Sequence, residues 1–115
     1  MLLVDDDANF RRALAIGLRL EDHEVVEVAS LEDASLVLAT RPFDVVLVNL
    51  LLPGGEGSSL SEHLGAALGD RVTVVVSPHP EALNAARTRI PAALQLQKPF
   101  TPSALTQLVQ EHHTS

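Results

Sequence analysis

The strongest constraint on this chain is an alternation. Five short apolar runs, at residues 2–4, 25–28, 43–48, 72–76 and 92–96, are separated by segments with helical spacing. Phe10, Ala13, Leu14, Gly17 and Leu18 recur at i, i+3, i+4, i+7 and i+8, which predicts a helix. Leu31, Ala34 and Leu38 predict a second, with Ser30 as its N-cap and Asp33 at the capping-box position. Leu60, Leu64, Ala67 and Leu68 predict a third, ending at Gly69. Residues 80–90 predict a fourth, stopped by Pro91. Thr101 and Pro102 form an N-cap and N1 pair that opens a fifth, through Leu105, Leu108 and Val109. Strands that alternate with helices build a parallel sheet covered on both faces. The third and fourth runs are almost continuously apolar, as strands buried on both sides should be. The prediction is an open, doubly wound α/β domain over residues 1–115, with a tail at 110–115 that frays.

Length agrees with one domain and one core, because 115 residues are too few for two. The formal charge of −7 gives a surface that repels nucleic acid. With no Trp or Tyr and three Phe, the chain also lacks aromatic platforms for base stacking. No run of about 18 apolar residues exists to span a membrane. There is no basic segment leading into an apolar one, so no secretory signal is expected. The absence of cysteine removes disulfides and thiolate chemistry, and fits a reducing cytoplasm.

In such a sheet, sites form at the carboxyl ends of the strands. There the sequence places Asp5, Asp6 and Asp7 after the first strand, Asn49 after the third, Ser77 after the fourth and Lys98 after the fifth. Each has an ordinary reading taken singly. Asp7 suits a helix cap, Ser77 a loop and Lys98 a solvated surface. Taken together they bring carboxylates, a carboxamide, a hydroxyl and an amine to one edge. Asp5 and Asp6 repel one another, a cost most easily understood if a cation lies between them.

At these residues the chain resembles the receiver domains of bacterial two-component response regulators. "LLVDDD" is similar to that family's acidic first loop. "FDVVLVNLLLPGGEG" is similar to its third strand and following loop, "VTVVVS" to its strand ending in Ser or Thr, and "QKPF" to its Lys-Pro-Phe segment. The resemblance implies a flavodoxin-like receiver fold with strand order 2-1-3-4-5. It implies that Asp5, Asp6 and the backbone carbonyl of Leu51 hold Mg2+, a hard ion suited to oxygen ligands. It implies that Ser77 and Lys98 contact a phosphoryl group, with Pro99 following a cis peptide bond. The implied partners are a sensor histidine kinase or another signalling protein. The fourth helix, fifth strand and fifth helix would form the contact face, which the family also uses for homodimers. No output domain is expected within this chain.

Two positions depart from the family's pattern. The phosphoacceptor position holds Asn49 in place of aspartate. A carboxylate oxygen is an anionic nucleophile, whereas the neutral amide oxygen cannot yield an acyl phosphate. Asn49 also lowers the local negative charge, so Mg2+ should bind only weakly. Its carboxamide can donate to Asp5 or Asp6 and accept from Lys98. The position usually occupied by a switching aromatic is Gln95. The expectation is a pseudo-receiver that is not an enzyme and that acts by protein–protein contact.

The rival class is a haloacid-dehalogenase-like phosphatase using Asp5-x-Asp7, with Ser77 and Lys98 in support. It needs a late acidic pair, and after Asp70 the only acids are Glu81 and Glu111. A flavodoxin-type phosphate binder is disfavoured by three aspartates where the phosphate would lie. The five histidines suggest no metal site: His112 and His113 are in the tail, His23 precedes a strand, His63 is on a helix and His79 is in a loop.

Overall fold

In the computed structural model, residues 1–50 and 71–114 are described. They form β1 (Leu2–Val4), α1 (Ala8–Leu20), β2 (Val26–Val28), α2 (Leu31–Thr40), β3 (Val45–Asn49), β4 (Val72–Ser77), α3 (Pro80–Arg89), β5 (Leu94–Gln97) and α4 (Pro102–Thr114). The third expected helix, His63 and the Leu51 carbonyl lie outside the described residues. The fourth and fifth expected helices are α3 and α4.

The five strands are parallel, in the order β2-β1-β3-β4-β5. This is the expected doubly wound fold. Strand alternation divides the core in two. On one face Leu2, Val4, Val46, Val48 and Val75 pack under α2, through Leu31, Ala34 and Leu38, and α3, through Leu83 and Ala86. On the other Leu3, Val45, Leu47, Val74 and Val76 pack under α1, through Leu14, Ala15 and Leu18, and α4, through Leu105 and Val109. Each fully buried Val or Leu contributes on the order of 1.5–3 kcal/mol. The central strands hold many of them, which makes the middle of the sheet the rigid part of the domain.

Several boundaries move. β3 begins at Val45 and continues through Asn49, which pairs with Val76. The parallel ladder, and not the end of apolar character, decides where the strand stops. β4 likewise runs on to Ser77. β5 starts at Leu94, because Ala93 N–H turns back to the Ile90 carbonyl at 3.1 Å. On α1 the buried face is Leu14, Ala15 and Leu18, while Ala13 is exposed. α4 continues to Thr114, so helix takes in most of the segment at 110–115.

The caps follow the sequence. Asp7 accepts from Phe10 N–H and Ser30 from Asp33 N–H, each at 3.1 Å. Thr101 accepts from Ala104 N–H, also at 3.1 Å. α1 and α4 approach closely at Gly17, where a Cβ would collide with the ring of Pro102.

Candidate functional site

Sheet register assembles the site. Val4 lies opposite Val48, Asn49 opposite Val76, and Ser77 opposite Gln97. One residue beyond those pairs, Asp5 and Lys98 fall on the same carboxyl edge as Asn49 and Ser77. β1 and β3 are adjacent although an α/β crossover separates them in sequence. That adjacency sets Asp5 beside Asn49.

Asp5 is the hub, and it is 1% exposed. Its Oδ1 accepts from Asn49 Nδ2 at 3.1 Å and from the Asp7 backbone N–H at 2.9 Å. Its Oδ2 faces Lys98 Nζ at 2.6 Å, as an ion pair. Asn49 Nδ2 makes a second, longer contact of 3.4 Å with Asp6 Oδ1. One carboxamide nitrogen therefore spans both carboxylates. Two N–H groups on a single nitrogen suit this bridging, and they meet oxygens that would otherwise repel each other. Asp5, Asp6 and Lys98 leave one net negative charge in the cluster.

Two residues that the sequence did not single out complete the cluster. Arg11 Nη1 donates to the Asp5 carbonyl at 2.6 Å, while its Nε pairs with Glu27 Oε1 at 3.2 Å. The guanidinium thereby ties the acidic loop to β2. The ring of Phe10 lies 4.3 Å from Lys98 Nζ, a cation–π contact, and meets Phe100 edge-on at 5.4 Å. A signal was available for Arg11: Glu27 is the lone acid between Val26 and Val28 in a strand beside the acidic loop.

Ser77 is buried at the same edge, but its Oγ accepts from His79 N–H at 3.1 Å. Among the described residues, that turn is where its hydroxyl is engaged. Its carbonyl accepts from Lys98 N–H at 3.0 Å, so backbone alone links the two. The Lys98–Pro99 peptide bond is cis. Gln95 lies away from the cluster, with Nε2 donating to the Leu83 carbonyl in α3 at 2.7 Å. Asp7, the second acid of the phosphatase reading, is engaged as the cap of α1.

A divalent cation of the oxygen-seeking kind needs several free oxygens around it. Here both Asp5 oxygens face donors, and Asp6 Oδ1 faces the Asn49 amide. As arranged, these side chains do not fit a bound Mg2+. Asn49 or Lys98 would have to turn away first.

A family model described as "Response regulator receiver domain" matches residues 1–110. Among curated proteins, the response regulator protein FleR of Pseudomonas aeruginosa is 34% identical over 113 residues, which are 97% of this chain and 24% of FleR. The chain thus spans about a quarter of that relative's length. Among solved structures, the receiver domain of NtrX from Brucella abortus superposes with a TM-score of 0.84 at 25% identity, covering 99% of this chain and 98% of that one. A response regulator protein from Burkholderia pseudomallei, solved with a phosphorylated aspartic acid, a calcium ion and citrate, gives a TM-score of 0.78 at 22% identity, covering 98% of this chain and 70% of that one. At that identity the likeness is one of fold.

Proposed function

The chain belongs to the response regulator receiver domain family, and on that premise we propose that it is a pseudo-receiver, a two-component signalling module that takes no phosphoryl group at Asn49. The observation that carries this reading is the Asn49 carboxamide, with Nδ2 3.1 Å from Asp5 Oδ1 and 3.4 Å from Asp6 Oδ1. By the family's pattern Asn49 stands where an aspartate attacks phosphorus. In that reaction a carboxylate oxygen forms the new P–O bond while the bond to the donor breaks. Asn49 offers a neutral amide oxygen in place of the anion, and its nitrogen lone pair is delocalised into the carbonyl. No acyl phosphate can form from it. The domain is not an enzyme on this reading.

The remaining pocket residues keep their places but change their roles. Lys98, which the family pattern would aim at a phosphoryl group, neutralises Asp5. Asn49 holds Asp5 and Asp6 together, as a cation otherwise would. Mg2+ binding is accordingly weak, because the ion must displace these donors. The same arrangement leaves the module in one chemical state.

Receiver domains interact with histidine kinases and other signalling proteins. For this chain, contact with a sensor kinase or another signalling protein is the output, made through α3, β5 and α4, with homodimerisation through that face as one form of it. The acidic surface argues against direct nucleic-acid binding. Among the described residues no helix is long and apolar enough to cross a membrane, and a cytoplasmic setting fits the cysteine-free sequence.

The test is intact mass after incubation with acetyl phosphate and Mg2+, run on this protein and its Asn49→Asp variant. A phosphate-sized gain in the variant alone is expected. A gain in the protein as it stands, abolished by removing Asn49, would overturn the reading.

A further inference from the structure

Asn49 is one hydrolysis away from a carboxylate. An asparagine amide can reach aspartate through its own backbone. The backbone nitrogen of the next residue, here Leu50, gives its proton to water and attacks Cγ of Asn49. The new C–N bond closes a succinimide ring, the Cγ–Nδ2 bond breaks and ammonia leaves. Water then opens the ring to aspartate or to isoaspartate. At residue 49 the aspartate would be the anionic nucleophile that the family's pattern places there.

The fold holds the two reacting atoms apart. Leu50 N–H donates to the Val76 carbonyl at 2.9 Å, towards β4. The Asn49 carboxamide reaches the other way, to Asp5 and Asp6 in the loop after β1. β3 lies between β1 and β4, so nucleophile and electrophile are engaged on opposite sides of one strand. Ring closure needs the Leu50 nitrogen to leave its acceptor and turn onto Cγ, which the paired, extended backbone at Asn49 prevents. Water is also kept out, since Asn49 is 6% and Leu50 4% exposed. We infer that Asn49 is a latent phosphoacceptor, kept as an amide by the β3–β4 ladder and released to become aspartate only when β3 opens. Isoaspartate would add a methylene to the backbone of a wholly buried strand, so the aspartate product alone restores the ladder. The word phosphoacceptor rests on the proposed reading of residue 49, whereas the lock rests on the ladder.

Peptide mass spectrometry tests both parts. The protein is kept folded in buffer and unfolded in urea, at one pH and temperature, and amide-to-acid conversion at residue 49 is followed. A central strand opens at close to the cost of global unfolding, so the folded protein should convert slower by about a hundredfold or more. Its rate should rise with added urea in step with the unfolded fraction. A smaller ratio, or a folded-protein rate that ignores urea, would overturn the lock. After refolding with acetyl phosphate and Mg2+, chains carrying aspartate should gain phosphate. Aspartate chains that gain none would overturn the latent acceptor, and a directly made Asn49→Asp variant gives the same reading if few converted chains refold. Phosphate on unconverted chains would sink the pseudo-receiver reading, and the rate comparison would still judge the lock.

Discussion

Lys98 Nζ lies 2.6 Å from Asp5 Oδ2, with the aspartate side chain 1% and the lysine side chain 12% exposed. A pair so far out of water is held by mutual need. Its desolvation cost can rival its attraction, yet removing one partner strands the other charge. The ring of Phe10 adds a second hold on the ammonium. Lys98 is thus fixed by two elements besides its own, the acidic loop and α1.

Lys98→Met should therefore destabilise the domain by about 3 kcal/mol, the cost typical of leaving a buried charge unpaired. Asp5→Asn in the same background should recover part of that loss, because it removes the stranded carboxylate. Urea titrations of the single and double variants measure both effects. Additive losses would show that the two groups do not interact.

Arg11 is the tie between the acidic loop and β2, through the Asp5 carbonyl and Glu27. Arg11→Met should cost about 1.5–3 kcal/mol, the range for a hydrogen bond to a charged group. Glu27→Gln should cost less, since Arg11 keeps its bond to the carbonyl. Equal losses in the two variants would contradict this order. Chemical denaturation followed by circular dichroism suffices.

Gly17 allows α1 to approach α4 at Pro102. Gly17→Ala gains helix propensity of about 1 kcal/mol but inserts a methyl where the proline ring already lies. Overpacking of that kind costs about 1–3 kcal/mol, so net destabilisation is expected. Thermal unfolding reads the sign. A stabilised Gly17→Ala variant would mean that the two helices separate at little cost.

The fold was largely legible because it rests on period and punctuation. The continuous apolar runs of β3 and β4 signalled burial on both faces, and Ser30, Asp7 and Thr101 announced three helix starts. Strand ends were less legible. A ladder can carry a polar residue such as Asn49 or Ser77 when the neighbouring strand continues beside it. The edge holding Asp5, Asn49, Ser77 and Lys98 followed from topology, yet sequence alone could not say who would touch whom. Ser77 reached the edge and bonded to its own turn. Arg11 and Phe10 were missed because an arginine or phenylalanine on an amphipathic helix looks like ordinary surface and core. Only the packing of α1 beside the acidic loop gives them their contacts with Asp5 and Lys98.

On the proposed reading, the Asn49 carboxamide holds Asp5 and Asp6 together without a metal. The most direct measurement is a urea titration of this protein and its Asn49→Asp variant, each with chelator and with Mg2+. A third carboxylate removes the bridging donor and adds like-charge repulsion, so with chelator the variant should be less stable by about 1–3 kcal/mol. Mg2+ should restore much of that loss and change the Asn49 protein little. An Asn49→Asp variant as stable as this protein in chelator, or more so, would mean that the carboxamide does not hold the two carboxylates together.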